Sequence, residues 1–158
     1  MNAIRPIPGS APVDELVTLP YPKFHKMDDL EWNPWVMEGV DYKLVSVDPR
    51  TNGFSIFLRV AAGTVAPVHR HMGAIELLVL EGDLTYDGVD IGRAGDYMFE
   101  PSGDIHRPRS TSGCVLFAVF NGPIAALDDD GNIAGIVDGK AMEAMAVAHN
   151  AARIVHQT

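Results

Sequence analysis

The sequence predicts an all-β domain, an antiparallel sandwich or barrel. From residue 40 onward, short β-rich runs alternate with turn signals written in Gly, Pro, Asn and Asp. His69 and His71 fit the same two-residue period, since alternate residues of a strand leave the same face. Helical composition is confined to the C-terminal segment.

Residues 1–40 carry Pro6, Pro8, Pro12, Pro20, Pro22 and Pro34, which excludes continuous helix and predicts an extended arm packing on the barrel. Trp32 and Trp35 bracket Asn33-Pro34 and are expected to anchor that arm. The barrel is expected over residues 41–127, with strands at 42–47, 54–61, 65–71, 75–80, 84–86, 97–99 and 115–120. Residues 128–158 are read as a turn at Asp128-Asp129-Asp130-Gly131-Asn132 followed by a short helix over 139–152, packed through Met142, Met145 and Val147. A calcium loop starting at Asp128 fails because its closing Glu is replaced by Gly139.

A chain of 158 residues forms one domain with a substantial core. Apolar residues at 47% and charged residues at 21% describe an ordinary globular protein. The net charge of -9 argues against a nucleic-acid partner, and Arg107 and Arg109 alone do not make a phosphate-binding face. A small-molecule or protein partner is expected instead. The single cysteine, Cys114, excludes an intramolecular disulfide and a Cys-rich zinc module, and its place at the head of an apolar run predicts a buried thiol. The amino terminus lacks a secretory h-region and no apolar stretch reaches membrane-spanning length, so the cytoplasm is the expected compartment.

The chemistry concentrates in three histidines. His69 and His71 lie in Gly63-Thr64-Val65-Ala66-Pro67-Val68-His69-Arg70-His71, and His106 closes Gly95-Asp96-Tyr97-Met98-Phe99-Glu100-Pro101-Ser102-Gly103-Asp104-Ile105-His106. Two imidazoles from one strand face and a third from another strand complete one side of a metal coordination sphere. Gly82 and Gly95 are expected where strands turn, and Gly103 where φ is positive. His25, His149 and His156 lie outside the pattern and are expected at the surface, with Arg70 and Arg107 pointing away from their histidine neighbours.

These motifs resemble those of the cupin superfamily. The first family pattern, G-x5-H-x-H-x3-4-E-x6-G, is matched at Gly63, His69, His71 and Gly82; the second, G-x5-P-x-G-x2-H-x3-N, at Gly95, Pro101, Gly103 and His106, with Ser110 in place of the final Asn. The resemblance implies a single-domain jelly-roll β-barrel with a metal inside its mouth. The motif carboxylate departs from the pattern. Four residues separate Glu76 from His71, as one form of the pattern allows, yet only five separate it from Gly82. Register counted from Gly82 puts Ile75 in the ligand position and turns Glu76 to the opposite face. A bulge near Gly73 or within the strand would restore Glu76. Alternation favours a three-histidine site, with Glu76 left to hold the second N–H of a ligand histidine.

Within the cupins the chain is similar to two groups. Pro67-Val68-His69-Arg70-His71, Leu80-Glu81-Gly82 and the run from Glu100 to Pro108 resemble the acetylacetone-cleaving and 2,4'-dihydroxyacetophenone dioxygenases, which use three histidines and Fe(II). That resemblance implies an Fe(II) dioxygenase cleaving a C–C bond of a β-diketone or aryl hydroxy-ketone with O2; Zn(II), Ni(II) and Mn(II) stay open. Leu80-Glu81-Gly82 and Gly113-Cys114-Val115-Leu116-Phe117 also resemble the cupin module of ChrR-type anti-sigma factors, which implies a metal-binding sensor; another metal-dependent cupin enzyme, an isomerase or a different oxygenase, is a third alternative, since one fold hosts many chemistries. Those regulators carry a zinc domain with His and paired cysteines, which one Cys does not supply. Glu100, six residues before His106, is a second catalytic candidate, able to accept a hydrogen bond from substrate or a ligand water; facing inward it needs a partner such as an arginine, and a place at the solvated rim is an equal alternative. Phe57, Phe99, Phe117 and Phe120 are candidates for a pocket wall, though core packing is the commoner fate. A homodimer or homotetramer is expected from the arm and the aromatic strands.

Overall fold

A computed structural model describes residue 24, residues 26–149 and residues 154–155. Pro6, Pro8, Pro12, Pro20, Pro22, His25 and His156 lie outside the described residues. After a 3-10 turn at Met27–Asp29 come β1 (Asn33–Pro34), β2 (Val40–Asp48), β3 (Gly53–Val60), β4 (His69–His71), β5 (Ile75–Thr85), β6 (Ile91–Arg93) and β7 (Tyr97–Glu100). Then follow β8 (Ile105–His106), β9 (Cys114–Phe120), β10 (Ile124–Leu127), β11 (Ile133–Val137), α1 (Gly139–Ala148) and β12 (Ile154–Val155). The larger sheet runs β1-β2-β3-β9-β5-β6, with β12 on β2 and β7 on β5; the smaller runs β11-β10-β4-β8. All pairings are antiparallel except β12 on β2, and the two sheets make the expected jelly roll.

Alternation builds the interior. β2 and β9 bury every second side chain over most of their length, placing Tyr42, Leu44, Leu116, Ala118 and Phe120 inside. Ile56 comes from β3, and Phe54 and Phe120 stack with ring centroids 4.5 Å apart. Each fully buried large apolar side chain stabilises the fold by about 1.5–3 kcal/mol. Cys114 is buried as expected, and burial pushes its thiol up to about 11. Trp35 packs on this core and donates from Nε1 to Met142 Sδ at 3.3 Å, while Trp32 lies under the cations of Lys43 and Arg59.

Three local expectations are corrected. Residues 75–80 and 84–86, expected as two strands turning at Gly82, are one strand, β5. Gly82 sits inside it at φ +76, where a Cβ would come within 1.8 Å of Gly113 O. The glycine therefore serves a close backbone approach rather than a turn. The segment 128–158 contributes β11, because β-branched Ile133, Ile136 and Val137 pair with β10 before α1 begins. Asp138 caps α1 by accepting from Ala141 N at 2.8 Å. The helix then buries Met142 and Ala146, one turn apart, and leaves Val147 58% exposed, so the inward stripe runs through Ala146 instead of Val147.

Candidate metal centre

The small sheet brings the histidines together. β4 lies between β10 and β8, and the register sets His69 directly opposite His106 and His71 opposite Ile124. Arg70, between the two histidines, is exposed on the outer face, and Arg107 is exposed with Nε donating to Ala66 O. Gly103, at φ +90, donates its N–H to His71 O at 2.7 Å, and Asp104 O accepts from His71 N at 3.0 Å. These two bonds fasten the β7–β8 turn to β4 and aim His106 at the other two rings.

One donor nitrogen from each of His69, His71 and His106 lies within 4.8 Å of the others. His69 and His71 are 9% and 2% exposed. Their tautomers follow from the outer hydrogen bonds. His69 Nδ1–H donates to Pro67 O at 2.9 Å and His106 Nδ1–H donates to the Asp104 carboxylate at 3.1 Å, which leaves both Nε2 lone pairs for the centre. Nε2 of His71 and Nε2 of His106 are only 2.8 Å apart. Two imidazoles bound at right angles to one ion at about 2.1 Å stand about 3 Å apart, so this spacing fits a shared ion. His71 Nδ1 is buried without a partner, a cost of about 1–3 kcal/mol accepted where Nε2 is turned to the centre. Burial lowers the pKa of His69 to about 4 and keeps it neutral, as a metal ligand must be.

Glu100 joins this cluster. It is 5% exposed on β7, with Oε2 3.0 Å from His71 Nε2 and 3.4 Å from His106 Nε2. Its inward carboxylate is met by Tyr86, whose hydroxyl donates to Oε1, and by the two histidines; the expected arginine partner is replaced by these groups. Burial opposes its charge, but the bonds from His71 and Tyr86 and the neighbouring histidine charge hold its pKa below the usual carboxylate value. Burial and the adjacent carboxylate push the Tyr86 phenol well above its ordinary value, so it stays a donor.

Glu76 stands elsewhere. On β5, Ile75, Leu77 and Val79 are buried while Glu76 and Leu78 face out, and Glu76 accepts from Tyr97 OH at 3.1 Å on the outer surface. Ile75 therefore occupies the inward position that register from Gly82 gives it. The one irregularity of β5 falls between Val79 and Glu81, too late in the strand to turn Glu76 inward. Glu76 touches none of the three histidines, so neither a ligand role nor a bond to a ligand's second N–H is available to it.

Sequence reasoning missed Tyr86 and Asp104. Asp104 carried a readable signal, since a carboxylate two residues before a strand histidine shares its face. Tyr86 carried none, because nothing local told which way the end of β5 points. The centre opens into a cavity of about 390 Å³ whose wall is mainly apolar and includes Trp35, Leu58, Leu77, Leu116 and Phe120. Phe120 is the one candidate phenylalanine on that wall; Phe99 is 55% exposed, and Phe57 and Phe117 pack on each other at 5.1 Å. His149 is exposed and meets Tyr42 OH at 3.1 Å.

Comparison with known proteins agrees with this architecture. The family model described as ChrR Cupin-like domain matches residues 22–125. An acetylacetone dioxygenase from Acinetobacter johnsonii superposes with a TM-score of 0.73 at 19% identity, covering 88% of this chain and 99% of that one. The Rhodobacter sphaeroides SigE complex with the anti-sigma ChrR gives 0.51 at 23% identity, over 60% of this chain and 51% of that chain. In sequence, the Arabidopsis thaliana DNA damage-repair/toleration protein DRT102 is 31% identical over 96 residues, 55% of this chain and only 28% of that protein's length. At these identities the structural likenesses show the fold.

Proposed function

The chain belongs to the ChrR cupin-like domain family, and from that premise we propose that it is an Fe(II)-dependent dioxygenase cleaving a C–C bond of a small β-diketone or aryl hydroxy-ketone. The observation that carries this reading is the convergence of three imidazoles at the wall of a mainly apolar cavity, with Ile75 where the family pattern has its carboxylate. Bound Fe(II) would supply a Lewis-acid seat that keeps the substrate as its chelated enolate.

The residues do the rest. His69, His71 and His106 would hold the ion from one side and leave positions toward the cavity, unlike a closed structural zinc site. Pro67 O and Asp104 fix two of the rings in the tautomer that presents Nε2. Leu58, Leu77 and Leu116 keep water from the substrate's carbon chain and hold it facing the centre. A β-diketone plus O2 yields a carboxylic acid and a 2-oxoaldehyde, both oxygen atoms being retained in the products. Oxygen consumption by the Fe(II)-loaded protein with 2,4-pentanedione and with an aryl hydroxy-ketone tests the reading. One O2 consumed per substrate supports it, and no uptake across the panel removes it while leaving the metal centre in place.

A second reading, a metal-binding sensor of the ChrR type, is favoured by the family model itself. It entails stoichiometric zinc after native purification and no turnover. Self-association belongs to either reading: Leu78, Tyr97 and Phe99 give the outer face of β5 and β7 apolar area for a second copy, which light scattering would measure. Among the described residues no helix is long and apolar enough to cross a membrane.

A further inference from the structure

We propose that Glu100 is the fourth protein ligand of the ion, entering from β7 opposite the point where β5 presents Ile75. This rests on the metal-centre reading above and extends it. Ile75 and Glu100 are paired residues of the β5–β7 ladder, and both turn inward at 2% and 5% exposure. The carboxylate absent from β5 is thus present one strand away, at the same level of the barrel.

The distances support ligation rather than proximity alone. Glu100 Oε2, His71 Nε2 and His106 Nε2 form a triangle with sides of 3.0, 3.4 and 2.8 Å. Donors held about 2.1 Å from one ion in mutually perpendicular directions are about 3 Å apart, which is the scale of all three sides. Tyr86 occupies Oε1 and leaves Oε2 for the centre, so ligation is through a single oxygen. A buried carboxylate also needs a cation, and among the described residues its ion pairs are with His71 and His106 alone. Neutral when bound to metal, these rings leave the ion itself as the compensating charge.

Charge balance gives the arrangement a consequence for substrate class. A divalent ion, one carboxylate and one chelating mono-anion sum to zero, which suits an apolar cavity; a dianion leaves the site negative. Enolates of neutral diketones are therefore preferred over those of substrates bearing a second acid group.

The test uses the full chain with Zn(II) alone. The infrared difference spectrum, zinc-loaded minus zinc-free, is recorded for the wild type, Glu100→Gln and Glu76→Gln, with zinc affinity measured by chelator competition. The expected result is a metal-induced carboxylate band that persists in Glu76→Gln and vanishes in Glu100→Gln, with affinity at least tenfold weaker in the latter. Should Glu100→Gln fail to fold, Glu100→Asp withdraws the oxygen by one methylene and is expected to shift the same band. An unchanged carboxylate difference spectrum in the Glu100 variant overturns this inference alone. A wild-type chain that takes up no zinc overturns it together with the histidine site beneath it.

Discussion

Ile75 and Glu100 stand opposite each other across the β5–β7 ladder, and both side chains turn into the barrel beside the histidines. The site thus has an apolar residue where register alone would allow a ligand and a carboxylate where a partner strand delivers one. Ile75→Glu would set two buried carboxylates side by side. The metal-free variant is expected to lose about 3 kcal/mol or more, since like charges in a buried site oppose each other's ionisation. Added Zn(II) should recover much of that loss, visible as a larger metal-induced rise in Tm than in the wild type.

Asp104→Asn keeps the shape of the side chain but removes the charge that receives His106 Nδ1–H. Outer partners of this kind are worth about 10–100-fold in metal affinity. The Asp104 side chain is 43% exposed, so stability should change little. Chelator competition and thermal unfolding on the same preparation separate the two effects.

Glu76→Gln is expected to leave metal affinity within about twofold of wild type, since the outward carboxylate meets Tyr97 rather than a histidine. A large loss of metal in this variant would contradict the face assignment of β5.

The pH dependence has a definite sign. His69 has its pKa lowered by burial from 6.5 to about 4 in the folded chain. Between these values the unfolded state binds more protons, so metal-free stability is full above about pH 6.5 and falls as pH drops toward 4, by an amount on the order of 3 kcal/mol from this group. Glu100, with its pKa also lowered, acts in the same direction as pH falls through its own range. Urea midpoints of metal-free protein from pH 7 to 4 should decline steadily; a flat profile would contradict a neutral, buried His69.

Two glycines separate backbone conformation from close approach. Gly95 has φ +96 with open space around its missing Cβ, so Gly95→Ala should cost about 1–2 kcal/mol. Gly82 has φ +76, and a Cβ added there would fall 1.8 Å from Gly113 O, so Gly82→Ala must also move β9 and should cost at least about 3 kcal/mol. Urea unfolding of both variants checks the difference.

Period-two alternation and motif spacing made β2, β3, β9 and the three histidines readable, because a strand residue's face is a local property. The same rule turned Glu76 outward once register was counted from Gly82. What stayed hidden depends on contacts across the chain. β5 continues through Gly82 only because the backbone at Gly113 lies against it. β8 and β12 have two residues each and exist only through their neighbours, β4 and β2. Tyr86 reaches Glu100 from just beyond the end of β5, a meeting no short pattern encodes.

The convergence of His69, His71 and His106 on one ion is tested most directly by an anomalous difference map of an iron-loaded crystal, collected at the iron edge. One peak within about 2.3 Å of a ring nitrogen from each of the three is the predicted result. A peak bound elsewhere, or rings that share no ion, would contradict it.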